Sequence, residues 1–140
     1  MTFFSQTLAL AFALFAITSP HTAMAQSDDL DCSNPQNQSV MNRCAFLDFE
    51  AADVELNAIW PAARKANATF AEYLPDNLKA DAQALLEAQR AWITFRDAHC
   101  ASVALPNAGG TIYPLIYNSC RAGVTRQRTE QLRELVDNAR

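Results

Sequence analysis

From Val40 onward the apolar positions fall in alternating steps of four and three: Val40, Cys44, Leu47, Ala51, Val54 and Ala58. That spacing predicts an amphipathic helix with this stripe facing a core. A neighbouring stripe, Phe46, Phe49, Asp53, Leu56 and Trp60, lies beside it and carries one acid. Asn34-Pro35 supplies the expected start, an N-cap followed by a proline tolerated at the first helical position. Pro61 is expected to end or kink the helix, because proline lacks the N–H that would bond one turn back. The Ala-rich residues 62–73 then add a further turn or two.

Leu74-Pro75-Asp76 marks the next boundary, with Asp76 as N-cap. A second four–three stripe runs through Leu78, Ala82, Leu85, Gln89, Trp92, Arg96 and His99, predicting a helix to about Ala104. Residues 105–110 (LPNAGG) form a turn-rich loop. Pro114 opens a third helix, read to about Asp137, with Ile116, Leu132, Leu135 and Val136 facing inward and Gly123 weakening its middle. No stretch alternates with period two for the length of a strand. The fold class expected is all-α, an antiparallel bundle of three main helices.

The first 25 residues follow a different rule, since they contain no Asp, Glu, Lys or Arg. Leu8–Ile17 is an apolar run of signal-peptide length, too short to span a bilayer. Pro20 breaks it, and Ala23-Met24-Ala25 provides the small–x–small cleavage pattern before Gln26. Residues 1–25 therefore read as a cleaved signal peptide and 26–140 as one domain. No small-residue signal precedes Cys32, which follows Asp29-Leu30-Asp31, so no lipidation is expected. The expected location is periplasmic or secreted, with no membrane anchor after cleavage.

Export changes how the four cysteines are read. Cys32, Cys44, Cys100 and Cys120 make an even set in an oxidising compartment, which points to two disulfides. Zinc is the rival, but there is no C-x-x-C and His99 is the one histidine of the mature chain. Three pairings exist in principle. The sequence-near pairs Cys32–Cys44 and Cys100–Cys120 are favoured, with the crossed set Cys32–Cys120 and Cys44–Cys100 as runner-up.

The formal charge is −4 and unevenly spread. Residues 28–55 carry seven acids (Asp28, Asp29, Asp31, Asp48, Glu50, Asp53 and Glu55) against Arg43, a local balance of −6. Residues 100–140 carry five arginines against Glu130, Glu134 and Asp137, a balance of +2. An acidic segment favours basic partners and disfavours nucleic acid. A solvated acidic helix face explains the same composition.

Polar residues on core-facing stripes need partners, because an unpaired buried charge is costly. Asp53 with Asn57, Gln89 with Arg96 around Trp92, and Thr125 with Arg128 are such groups. Asp53 and Arg96 are expected to form an interhelical ion pair, with Asn57 and Gln89 completing its hydrogen bonds and Asp97 as an alternative partner. A structural network is favoured over a ligand site, since no lid or cofactor motif accompanies it. Catalytic chemistry finds little support. His21 leaves with the signal peptide, and a disulfide would remove Cys100 beside His99 as a nucleophile. Glu50 and Asp53 share a helix face, but such pairs are common on solvated helices. The expectation is no enzyme, no metal and no cofactor.

Three strings carry a family resemblance. The first is Cys32 with Met41-Asn42-x-Cys44-Ala45, followed by Ala52-Asp53-x-x-Leu56-Asn57. The second is Ala88-Gln89-Arg90-Ala91-Trp92-x-x-Phe95-Arg96-Asp97-Ala98-x-Cys100, and the third is Gly109-Gly110-Thr111-Ile112, Tyr117, Cys120 and Thr125-x-x-Arg128-x-x-x-Leu132. Together they resemble the LprI-type lysozyme-inhibitor N-terminal domain family, from about Asp31 to Leu135. The resemblance implies a small helical, cysteine-containing envelope domain, in a family named after a lipoprotein that inhibits lysozyme. Two departures stand out: this chain lacks the lipidation cysteine, and Trp60-Pro61 sits where the family usually carries Tyr and a continuing helix.

Two functions follow as expectations. One is a periplasmic inhibitor occluding the cleft of a basic host-type lysozyme, with the acidic N-terminal region and Leu105, Pro106, Asn107, Gly109 and Gly110 as contacts. The other is an envelope structural or interaction module without lysozyme activity, which an exposed apolar patch around Trp60 and Phe70 would favour.

Overall fold

A computed structural model describes residues 30–140, except for the side chains of residues 80–82. The expected signal peptide, its cleavage site and Ala82 of the second stripe lie outside what is described. Helix α1 spans Gln38–Glu72, α2 Ala84–Ala104 and α3 Tyr113–Asp137. Short 3-10 segments cover Asp76–Gln83 and Leu105–Asn107, and no strand occurs among the described residues. Helices α1 and α3 run side by side in the same direction, as the matched pairs Asp48–Arg126 and Glu55–Arg133 require. Helix α2 runs opposite to both, with Asp97 against Arg121 and Gln89 against Arg128. The result is the expected up-down-up bundle.

The start of α1 differs from expectation. The Asp31 carboxylate accepts from the Ser33 N–H, the Ser33 hydroxyl and the Asn34 N–H, which curls residues 31–34 into a turn. Helix then begins after Asn37, whose side chain accepts from the Val40 N–H. Asn34 is therefore not the cap. The Cys32–Cys44 disulfide holds this turn back against the first helical turns.

Pro61 does not end α1 either; the helix continues to Glu72. The missing N–H would have bonded the Asn57 carbonyl, and both residues lie on an exposed face where water can take its place. On the opposite face Leu56, Ala63 and Ala66 stay buried on both sides of the proline, so packing keeps the helix going.

The buried stripe of α1 is also rotated from the expected one. Ala45, Phe49, Ala52, Leu56, Ala63 and Ala66 face the core, whereas Ala51, Val54 and Ala58 face solvent. Four alanines let α3 approach closely, and Phe49 and Leu56 supply the bulk. Phe49 and Ala52 pack with Ala122 of α3. Leu56 and Ala63 pack with Leu132, bordered by Ile59, Trp60, Leu85, Trp92, Leu135 and Val136.

The expected second helix divides. Residues 76–83 form the 3-10 segment and leave Leu78 41% exposed, while regular α-helix begins at Ala84. Its buried positions are Gln89, Arg96, Cys100 and Ala104. His99, expected on that stripe, is exposed and stacks its ring on Phe95. Helix α3 passes Gly123 without a break, and Pro114 sits in its first turn as expected.

Both disulfides lie at the same end of the bundle. Cys32–Cys44 clips the start of α1, and Cys100–Cys120 joins the end of α2 to the first half of α3. Of the pairings open to four cysteines, these are the sequence-near ones. At the opposite end, α1 runs past the core into contact with the 3-10 segment, with no covalent tie.

Candidate functional site

Within a turn of the Cys100–Cys120 bond, the bundle holds two arginines, two aspartates and an aromatic cluster. Arg96 on α2 is 6% exposed. Its Nε donates to Asp97 Oδ1 at 2.9 Å, and a terminal nitrogen donates to Asp53 Oδ1 on α1 at 3.2 Å. Asp97 also accepts from Arg121 Nε at 3.2 Å, so one carboxylate serves two guanidinium groups. Both expected partners of Arg96 are used at once. Asn57 donates to Asp53 Oδ2 at 2.9 Å, as foreseen.

Aromatic faces complete the layer. The Arg121 guanidinium lies 3.6 Å from the Phe49 ring centre, and that of Arg96 lies 5.1 Å from Phe49 and 5.1 Å from Trp92. Tyr117 receives Arg121 from one turn back at 5.1 Å. Two cations facing two anions leave the cluster neutral, and the rings take the faces of the cations that carboxylates do not. Burial opposes ionisation of Asp97, but hydrogen bonds and charge from Arg96 and Arg121 outweigh it and hold the carboxyl below the ordinary 3.8. A carboxylate held low is a poor proton acceptor near neutrality. Asp53 is tied to Arg96 and Asn57, while Glu50 stands exposed beside it, so the pair does not form a shared acid–base site.

Gln89 departs from expectation. Its side-chain oxygen accepts from Arg128 Nε at 2.9 Å and takes no part in the Arg96 cluster. Arg128 also donates to Gln131, while its remaining nitrogen and the Thr125 hydroxyl are buried without a hydrogen-bond partner among the described residues. Burial pulls the Arg128 guanidinium below its usual value. The polar groups thus form two separate layers, one compensated and one under-satisfied. Arg121 was the member sequence reasoning missed. Its four-residue spacing from Tyr117 and Thr125 on α3 was the available signal.

The acidic stretch changes character once folded. Asp48 pairs with Arg126 and Glu55 with Arg133, while Asp53 pairs with Arg96. The hydrogen bonds that Arg126 donates to the Asp48 carboxylate raise the Arg126 pKa. Three of the seven acids are therefore neutralised by arginines from other helices, and the −6 of the sequence is not a −6 surface.

The loop after α2 is well defined. Leu105 is 65% exposed at its start, with Pro106 following in the 3-10 turn. Gly109 adopts φ +79°, which favours glycine, and a Cβ at Gly110 would sit 3.2 Å from the Asn107 carbonyl oxygen. Asn42 on α1 donates to the Thr111 carbonyl at 2.9 Å and pins the loop's exit. Buried Cys100 and its bond to Cys120 anchor its base. Leu105, Pro106, Gly109 and Gly110 are exposed and Asn107 half-buried, so the loop presents a fixed, uncharged projection.

At the far end, Arg64, Asn67, Glu72, Lys79 and Leu85 line an open groove of about 610 Å³ between α1, the 3-10 segment and α2. Phe70 (42% exposed), Tyr73 (83%) and Leu78 lie in the surrounding segments. Trp60, by contrast, is half-buried against the core, so an apolar patch spanning Trp60 and Phe70 does not form. Among the described residues there is no cluster of three metal-ligating side chains and no helix long and apolar enough to cross a membrane.

A family model described as lysozyme inhibitor LprI matches residues 32–132. An uncharacterized protein of Rhizobium meliloti (strain 1021) is 37% identical over 129 residues, covering 90% of this chain and 91% of its own length. No solved structure matches.

Proposed function

This chain belongs to the LprI lysozyme-inhibitor family, and on that premise we propose that it is an exported binding protein whose stapled end occludes a lysozyme substrate cleft. Residues 1–25 serve as its signal peptide, residues 26–140 form the working domain, and the product is periplasmic or secreted. The observation that carries the reading is the Leu105–Gly110 loop. An inhibitor that blocks a cleft gains affinity when its inserted segment is already in the bound conformation, because little order remains to be imposed on binding. This loop is anchored by Cys100–Cys120 below, by Asn42 at its exit and by the Gly109 turn within. Leu105 offers an exposed apolar contact at the loop's start, and the absence of charge avoids desolvating an ion inside the cleft.

Electrostatics has a smaller part than the linear sequence suggests. The net charge of −4 still favours a basic partner, but the paired acids of α1 contribute little to steering. Binding is therefore expected to weaken only modestly as salt rises.

The test is a lysozyme cell-lysis assay with the oxidised protein. Stoichiometric inhibition, lost on reduction and alkylation and weakened about tenfold or more by Leu105→Asp, supports this reading. Inhibition that survives Leu105→Asp moves the contact off the loop. No inhibition well above equimolar protein removes lysozyme as the partner. The exposed Phe70, Tyr73 and Leu78 around the far groove would then favour an envelope interaction module without lysozyme activity.

A further inference from the structure

The two disulfides share one end of the bundle but sit in different surroundings. Cys100 is fully buried and Cys120 half-buried, and their bond joins two packed helices. Cys32 is exposed in the turn ahead of α1, and its partner Cys44 is half-buried. A thiolate must reach a sulfur to exchange with it, so access ranks the two bonds. Cys32–Cys44 is the reachable one.

What that bond holds is a strap. Within residues 31–36 the Asp31 carboxylate accepts from Ser33 and Asn34, and the Gln36 side chain donates to the Asn34 carbonyl. These bonds shape the strap but do not attach it. Among the described residues no hydrogen bond or ion pair joins residues 31–36 to α1 or α3, and the sulfur bridge is the tie. Beneath the strap lies a largely apolar cavity of about 410 Å³. Cys32 and Pro35 line it from the strap, Met41, Cys44 and Ala45 from α1, and Leu115 from the first turn of α3. A void on one side leaves the strap few dispersion contacts to hold it in place without the bridge.

We propose that Cys32–Cys44 is a site of thiol–disulfide exchange and the latch of this strap: a dithiol reductant opens it, residues 31–36 lift from α1, and the cavity floor at Met41, Ala45 and Leu115 is uncovered. One thiolate of the reductant attacks Cys32 Sγ, the S–S bond breaks, and Cys44 leaves as a thiolate that takes up a proton. The second thiol of the reductant, once deprotonated, displaces Cys32 from the mixed disulfide. Two electrons pass to the cysteine pair, and the dithiol becomes a disulfide. A disulfide oxidant runs the same steps backward and closes the latch. The buried Cys100–Cys120 bond and the Arg96 cluster take no part, so the opened form keeps its three helices.

The inference does not depend on lysozyme binding, because neither the strap nor its test uses the loop at residues 105–110. The oxidised protein, expressed from its full reading frame with its own leader, is treated with dithiothreitol under native conditions, quenched with iodoacetamide and mapped by mass. Cys32 and Cys44 should become alkylated about tenfold or more faster than Cys100 and Cys120. Strap release has its own reporter, since Met41 is the sole methionine beyond residue 24 and is half-buried. In the alkylated protein with Cys100–Cys120 intact, oxidation of Met41 by dilute hydrogen peroxide should speed up about threefold or more, with helical circular dichroism unchanged. The double variant Cys32→Ser with Cys44→Ser, which opens the latch without adding bulk, should show the same gain. Both bonds opening at similar rates overturns the proposal. So does a Met41 that reacts no faster in either opened form, or a loss of helix when Cys32–Cys44 alone is opened.

Discussion

The two ends of this bundle are built on different terms. At one end two disulfides, an arginine cluster with every charge matched and a pinned loop lie within a few turns of each other. At the other end α1 overruns the core and a 3-10 segment replaces regular helix, and half-buried Arg128 carries one buried nitrogen with no hydrogen-bond partner among the described residues. A small domain cannot draw strong stabilisation everywhere from a core made mostly of alanines. It concentrates covalent and ionic constraint where the chain must hold a fixed shape, and leaves an open groove where it need not.

Breaking the covalent tie gives the largest expected effect. Replacing both Cys100 and Cys120 with serine should cost about 2–5 kcal/mol in urea unfolding and free the Leu105–Gly110 loop. Equal loss from the Cys32–Cys44 pair would mean that loop anchoring is not what distinguishes this end. The arginines come next. Arg96→Met leaves Asp53 and Asp97 without their shared cation and should cost about 2–3 kcal/mol. Arg128→Met, which removes a guanidinium that is only partly satisfied, should cost less than about 1 kcal/mol, measured the same way. Similar penalties for both would erase the contrast between a matched and an under-satisfied layer.

A milder change sharpens the comparison from the stabilising side. Gly123 lies inside α3 with nothing within 4 Å of an added Cβ, so Gly123→Ala should raise stability by about 0.5–1 kcal/mol. The smallest effect is expected in acid. The Asp97 pKa is depressed on folding, so its contribution is present above the unfolded value of 3.8 and is lost as pH falls below it. Thermal unfolding from pH 6 to pH 2 should therefore show a decline confined to the acid end. Arg96→Met should flatten it, because Asp97 then loses much of the charge that holds its proton off.

Much of this molecule was legible from residue types and spacing. Cysteines close in sequence pair as expected, and Asp53 and Arg96 meet because Arg96 would otherwise be a buried, unmatched charge. The inward face of α1 was not legible, because that helix has two stripes of the same period and periodicity alone does not rank them. Volume does: the stripe with Phe49 and Leu56 buries more apolar surface than the one with Val54 and Ala58. Pro61 misled for a related reason. Its penalty is local, whereas the packing of Leu56, Ala63 and Ala66 that overrides it is tertiary. The balance of −6 misled because charge counted along a chain ignores the arginines that another helix brings across. Gln89 could not be assigned to Arg96 or Arg128 without knowing which turns of α2 and α3 lie level.

The Cys100–Cys120 bond has a further consequence when the protein meets a protease. It closes residues 100–120 into a covalent ring that contains the whole exposed loop. A protease that cuts beside Leu105 opens the ring but sheds nothing, since both new ends remain joined through sulfur. Such a nicked molecule keeps all three helices on one connected chain, and only a second event, reduction, takes it apart.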